Sequence, residues 1–324
     1  MSRPARLKTA IATRGHTAAL KDGGVAVDGV TLDFVEVTPI IAAFRRMVRN
    51  LEFDICEMAP TTYMIARALG APYIALPVFV MRRFHHTGLV CHPDSGIREP
   101  ADLHGKKVGV RAYSVTTGVW TRGILSNEYG LDASKVTWVV DDEEHVPELR
   151  LPPNVVHAPP ERSLRAMMAD GELHAGFTGN AGIGRSGSPQ SGWVPAPKTP
   201  PDYYELFADG PEREAEWYRR TGIYPIHGLI VVKEKRLAEN PGLARALFVA
   251  FSEAKCRYVE RLKTGGPASA DDNQYRGWMP LLGGDPLPYG IENNLASIEA
   301  LITYAVQQGL MPCRLPIEKL FVEN

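Results

Sequence analysis

The strongest constraint on this chain is the strict succession of two periodicities near its N-terminus. Residues 7–12 form a short apolar run, and residues 31–37 (TLDFVEV) alternate at the two-residue period of a strand. Ile40, Ile41, Phe44, Met47, Val48 and Leu51 then recur at helical spacing behind Pro39. A strand over 53–58 and a helix over 61–69, stopped by Gly70, follow at once. Parallel strands need a crossover between them, most often a helix, so strand, helix, strand, helix in this order predicts a parallel α/β sheet.

The pattern continues. An apolar run over 73–92 is followed by a short helix in REPADLHG and a strand over 107–111. A helix over 114–129 stops at Gly130, and strands over 136–140 and 173–178 flank a helix over 163–170. A helix ends near 217–220, a strand covers 227–233, and a long helix follows. Asn240 and Pro241 suit the start of that helix, Leu247, Phe251, Ala254, Tyr258 and Leu262 form its stripe, and Gly265 ends it. A last helix over 291–308 stops at Gly309. These elements make two α/β units, the second inserted into the first. The expected division is residues 1–88 and 229–324 for lobe 1 and 89–228 for lobe 2, with a ligand cleft between them.

Composition excludes several classes. The 324 residues are 44% hydrophobic and 23% charged, enough for sizeable cores, and the net charge is −1 with no long run of one sign. That argues against a nucleic-acid surface and against a polybasic membrane anchor. The first residues lack the apolar core of a secretory signal, and no stretch has the roughly 18 apolar residues of a membrane span, so a cytoplasmic location is expected. Cys56, Cys91, Cys256 and Cys313 are far apart in sequence and read as free, buried thiols. Residues 182–201, rich in Gly, Ser and Pro, read as a surface loop.

The segment EPADLHGKKVGV, and later GELHAGF before a strand, resemble the type II periplasmic-binding-protein fold. The stretches FVEVTPIIAAFRRMVRNLEFDICEMAPTTYMIAR, LPVFVMRRFHHTGLV, GVRAYSVTTGVWTRGIL, TGIYPIHGLIVV and GDPLPYGIENN are similar to the 4,5-dihydroxyphthalate decarboxylase family, over nearly the whole chain. One departure is Pro60, in Met58-Ala59-Pro60, where the family pattern suggests a less rigid residue. The resemblance implies conversion of 4,5-dihydroxyphthalate to protocatechuate and CO₂ without an organic cofactor.

That chemistry needs a proton donor at the ring carbon, an acceptor near the ring hydroxyls, and cations or N–H groups for the retained carboxylate. His85 and His86 are the candidate acids. On a strand, Arg82, Phe84 and His86 share one face and Arg83 and His85 the other, so alternation alone does not choose between the histidines. Arg111, Tyr113, Ser114, Thr116 and Thr117 end a strand and open a helix, which suits a carboxylate; ordinary helix capping is the plainer reading. In this fold the loop carrying Arg14 and His16 faces the cleft and can meet a carboxylate or hydroxyl. Glu57 is a candidate base, and His227 sits on the second crossing. The acidic run 141–144 with His145 reads first as a solvated loop, with Glu144 or His145 as a second candidate for handling ring hydroxyls. Tyr289 and Glu292 are weaker candidates.

No HxxxH or HxH spacing supports a metal site, so none is expected. The expected partner is a small aromatic dicarboxylate, and self-association into a homo-oligomer is compatible with the sequence. Competing readings are a solute-binding protein for an aromatic acid, disfavoured by the missing export signal, and decarboxylation of a related hydroxylated aromatic acid. A pyrimidine-forming enzyme of the same fold lacks support because its cysteine cluster is absent.

Overall fold

The computed structural model describes residues 5–187, 194–195, 202–265 and 268–322. Its strands are β1 (Ala5–Ala10), β2 (Val30–Phe34), β3 (Ile55–Met58), β4 (Tyr73–Arg82), β5 (Leu89–Cys91), β6 (Lys107–Gly109) and β7 (Thr137–Val140). They continue as β8 (Val155–His157), β9 (Ala175–Phe177), β10 (Arg185–Ser186), β11 (Val194–Pro195), β12 (Tyr204–Glu205) and β13 (Ile226–Lys233). The helices begin with α1 (Ala18–Lys21), α2 (Ile41–Asn50), α3 (Pro60–Ala68), α4 (Thr116–Tyr129), α5 (Leu164–Ala169) and α6 (Gly210–Thr221). They end with α7 (Glu234–Glu239), α8 (Leu243–Thr264), α9 (Ala270–Trp278), α10 (Leu295–Gln307) and α11 (Ile317–Leu320).

The chain divides into two units. The first comprises Met1–Arg82, Ile226–Ile298 and Leu315–Asn324; the second comprises Arg83–Pro225 and Glu299–Arg314. The second is thus inserted into the first, and residues 299–314 are added to it from the C-terminal region.

The first unit holds a five-stranded sheet in the order β2-β1-β3-β13-β4. Strands β1, β2 and β3 run parallel, while β13 pairs antiparallel with both β3 and β4. Strand β4 is apolar along most of its length because Leu76, Val78, Phe79 and Val80 are all fully buried. Helix α8 buries Leu247, Phe251, Ala254, Tyr258 and Leu262, the stripe expected from sequence, but it starts two residues past Pro241, with Gly242 as its N-cap. Pro60 takes the first position of α3, where its missing N–H has no partner to lose.

The second unit holds a six-stranded sheet in the order β12-β5-β9-β6-β7-β8. Strands β9, β6, β7 and β8 are parallel, and β5 and β12 run antiparallel at one edge. Val90, Val139, Leu164, Met167, Met168, Leu173 and Ile183 pack as one core cluster. Helix α4 adds Val119, Trp120, Ile124 and Leu125, all fully buried. Gly123 is required there: a Cβ would lie 2.1 Å from Cδ2 of the Tyr304 ring.

Three expectations need correction. Residues 83–88 are not strand, so the two-face alternation of residues 82–86 ends at Arg82. The apolar run continues past that point, but its side chains pack separately, with Phe84 against Tyr218 and Tyr224. Not all cysteines are buried: Cys256 and Cys313 are exposed. The loop expected over 182–201 includes an antiparallel pairing of β10 with β11, while residues 188–193 and 196–201 lie outside the described residues.

Candidate functional site

In the first unit the loop after β1 returns toward β3. The Glu57 carboxylate, buried in β3, accepts two hydrogen bonds from the Arg14 guanidinium, at 2.6 and 2.7 Å, and one from the Ala12 N–H at 3.0 Å. This bidentate pair is a strong charge-assisted arrangement and fixes the loop. Glu57, expected as a base, is engaged with Arg14 and the Ala12 N–H in this structure. His16 is fully buried, with its ring 5.6 Å from that of Tyr258. Burial first, then the Arg14 charge, lowers its pKa to about 3. Tyr258 donates a 2.6 Å hydrogen bond to Asp272, which also caps the start of α9. Arg14, His16, Tyr258, Asp271, Asp272 and Tyr275 contribute to the wall of a cavity of about 410 Å³.

Arg82 ends β4 and donates to the Pro288 carbonyl at 3.1 Å and to the Asn294 side chain. His227 lies where β13 advances two residues against one of β4, a β-bulge. Tyr289 is buried, and Lys255 stands 5.2 Å from its ring centre.

In the second unit the acidic run is not a freely solvated loop, though Glu143 is exposed. Asp142 pairs with Arg111 at 3.1 Å and Asp141 pairs with Arg185; these aspartate and arginine side chains are all at least nine-tenths buried. Arg111 also donates from Nε to the Asn180 carbonyl at 3.1 Å. Burial, ahead of any other cause, raises the Asp141 pKa and lowers that of Arg111. The Glu144 carboxylate accepts from the Tyr113 N–H at 2.6 Å, from the Ser114 N–H at 3.3 Å and from the Ser114 hydroxyl. The site expected to receive an anion, just before α4, thus holds a carboxylate from the chain itself. Thr116 and Thr117 follow in the first turn and are buried, as is His145 next to Glu144.

Arg122 supports this seat from α4. Its guanidinium lies 4.0 Å from the Tyr113 ring centre, donates from Nη2 to the Tyr113 carbonyl and from Nε to Gln308 at 2.8 Å. Arg122 and Arg185 were not anticipated. Arg185 is 44 residues from Asp141 in a stretch that reads as loop, so no local pattern signals the pairing.

The two adjacent histidines diverge. His85 stacks on Trp120 of α4, ring centres 6.4 Å apart and planes within 7°. Its carbonyl accepts from the Thr121 hydroxyl at 3.2 Å. His86 instead lies among Tyr129, Phe207 and Trp217, and its ring nitrogens make no hydrogen bond among the described residues. Burial lowers its pKa to about 4, against a smaller opposing pull from Glu128. Arg83 is likewise shifted down, mainly by burial, with Glu214 and Glu205 opposing. Among the described residues no group of three or more His, Cys, Asp or Glu side chains is placed to hold a metal ion, and no helix is long and apolar enough to cross a membrane.

Comparison with known proteins gives this geometry a context. A family model described as "ABC transporter, phosphonate, periplasmic substrate-binding protein" matches residues 29–185. Among solved structures, the alkanesulfonate-binding protein SsuA from Xanthomonas axonopodis pv. citri, bound to MOPS, is similar with a TM-score of 0.55 at 14% identity, over 99% of both chains. The fold is accordingly the two-lobed, type II periplasmic-binding-protein-like one. A 4,5-dihydroxyphthalate decarboxylase of Comamonas testosteroni is 32% identical over 98% of this chain and 96% of its own. A second protein so named, from Pseudomonas putida, is 40% identical over 52% of this chain and 68% of its own. Resemblance on this scale, end to end, settles the family: the chain belongs to the 4,5-dihydroxyphthalate decarboxylases.

Proposed function

We propose that the protein converts 4,5-dihydroxyphthalate to protocatechuate and CO₂ in the catabolism of phthalate-type aromatic acids. Beyond family membership, the observation that carries this reading is the carboxylate lodged on the Tyr113 and Ser114 N–H groups and the Ser114 hydroxyl. A donor set that accepts Glu144 suits the carboxylate that the reaction retains. Substrate then replaces Glu144 on the seat. The Arg111–Asp142 and Arg185–Asp141 pairs fix the loop that carries Glu144.

The ring carbon bearing the departing carboxylate takes a proton while the para hydroxyl supplies electron density. The carbon–carboxylate bond then breaks, its electron pair restores aromaticity, and CO₂ leaves. Direct loss of CO₂ without protonation would leave an unstable aryl carbanion. A general acid must hold its proton near neutral pH. His86, with its pKa lowered to about 4, does not. His85, stacked on the helix that follows the seat, is assigned as the acid.

The test is turnover. Purified, chelator-treated protein is mixed with 4,5-dihydroxyphthalate, and protocatechuate and CO₂ are quantified. Equimolar release of both supports the reading and excludes a metal requirement. Binding without turnover in chelated and metal-supplemented protein contradicts it and favours a receptor.

A further inference from the structure

We propose that Glu214 is a positioning residue for the reaction: from α6 it holds the segment that carries His85 and so aims the imidazole at the ring carbon to be protonated. The proposal rests on the reading of His85 as the acid. Every residue it uses belongs to the second unit.

The segment needs such a hold. Strand β4 ends at Arg82, and residues 83–88 are not strand. Arg83 still donates its N–H to the Pro225 carbonyl at 3.4 Å. Beyond it, buried peptide N–H groups must find acceptors outside a ladder. Three in succession donate to two carboxylates. Those of His86 and Thr87 reach Glu214 Oε1 at 3.2 and 3.3 Å, and that of Gly88 reaches Glu205 Oε2 at 2.8 Å. The Thr87 hydroxyl adds a bond to Glu214 Oε1 at 3.3 Å. Glu214 is buried, and burial raises its pKa against the opposing pull of these donors and of Arg83. Hydrogen bonds to an ionised acceptor are stronger than neutral ones, so the hold is firm while the carboxylate is charged.

One peptide shows what is held. The His85 carbonyl and the His86 N–H belong to the same planar unit. Thr121 of α4 donates to that carbonyl at 3.2 Å, and Glu214 of α6 accepts from that N–H. With both ends engaged, the peptide next to the His85 Cα turns only by breaking one of the bonds. The two helices are themselves tied together. Trp217, three residues after Glu214, donates from Nε1 to Glu128 of α4 at 3.0 Å, and Arg220 pairs with the same carboxylate. Helix α6 also lies close to the segment: a Cβ on Gly210 would be 2.3 Å from Cγ2 of Thr87. Glu214 therefore acts on the imidazole through the backbone, and a misplacement of about 1 Å at a reacting group can cost 10²-fold in rate.

The test is a double-mutant cycle on kcat and KM for 4,5-dihydroxyphthalate, with Glu214→Ala, His85→Asn and the double variant. Glu214→Ala is expected to lower kcat about tenfold to a hundredfold with KM little changed. Glu214→Gln, which keeps one acceptor oxygen, should restore most of it. In the His85→Asn background Glu214→Ala should lower kcat no further, because positioning acts only through the imidazole. Wild-type kcat in Glu214→Ala, or the same fold loss in both backgrounds, would overturn the proposal. Glu214→Asp, which keeps the charge and shortens the reach by one methylene, replaces Glu214→Ala in the cycle where the latter does not fold. A wild type that forms no product sinks the decarboxylase reading instead. The NMR signal of the His85 ring, identified by its loss in His85→Asn, then decides the placement: a shift on removing the Glu214 carboxylate supports it, and an unmoved signal overturns it.

Discussion

The carboxylate seat before α4 predicts an unusual gain of affinity. Glu144 occupies it through two peptide N–H groups and the Ser114 hydroxyl, so an incoming carboxylate competes with the chain's own. Hydrogen bonds to a charged group contribute about 1.5–3 kcal/mol each, against about 1 kcal/mol for neutral ones. Glu144→Gln keeps one oxygen for the Tyr113 N–H but loses the charge at the contacts to Tyr113 and Ser114. The competitor is thereby weakened by about 2 kcal/mol, equivalent to roughly thirtyfold in affinity. The assay is calorimetric titration with phthalate, which carries both carboxylates but no hydroxyl and does not turn over. The variant is expected to bind phthalate ten- to thirtyfold more tightly than the wild type, with an unfolding midpoint lowered because the same hydrogen bonds are weakened. Equal or weaker binding by a folded variant would refute the exchange, because it would mean that Glu144 leaves the seat in no bound state.

Other consequences follow from buried groups. His86 has a folded pKa of about 4, below its ordinary 6.5, so the unfolded chain binds more protons between those values and stability is lost as pH falls from about 6.5 toward 4. At about 1.4 kcal/mol per pKa unit, the loss attributable to His86 is about 2 kcal/mol by roughly pH 4.5, and His86→Phe should remove it in urea unfolding compared at pH 7 and 4.5. Arg111→Ala removes the cation facing the buried Asp142 carboxylate and should cost about 3–5 kcal/mol, seen as a lower urea midpoint. Gly123→Ala drives a methyl into the Tyr304 ring and should cost about 1–3 kcal/mol by the same measurement.

Much of the fold was legible because strand and helix periods alternate cleanly, and Gly70, Gly130, Gly265 and Gly309 mark the helix ends. Helix α9 was missed because ADDNQYRGW carries no apolar stripe; its start is set by the Ser269–Asp272 capping box. Tyr258 read as core stripe, which it is, but its hydroxyl also donates to Asp272 of α9. The strand-to-helix turn at residues 111–117, from which an anion site was expected, holds a carboxylate of the chain itself. That occupant was not legible, because Glu144 arrives from a loop 30 residues later, in an acidic run that by itself looks solvated. That His85 and His86 point apart was expected, but their surroundings were hidden, since they depend on where the β4 ladder ends and on which helices pack there.

The most direct measurement is the rate of protocatechuate and CO₂ formation from 4,5-dihydroxyphthalate by the wild type beside His85→Asn, at equal folded concentration. The account predicts equimolar products from the wild type and a kcat lower by about 10²-fold or more in the variant, with KM little changed. A wild type that forms no product, or a variant that matches it, contradicts the account.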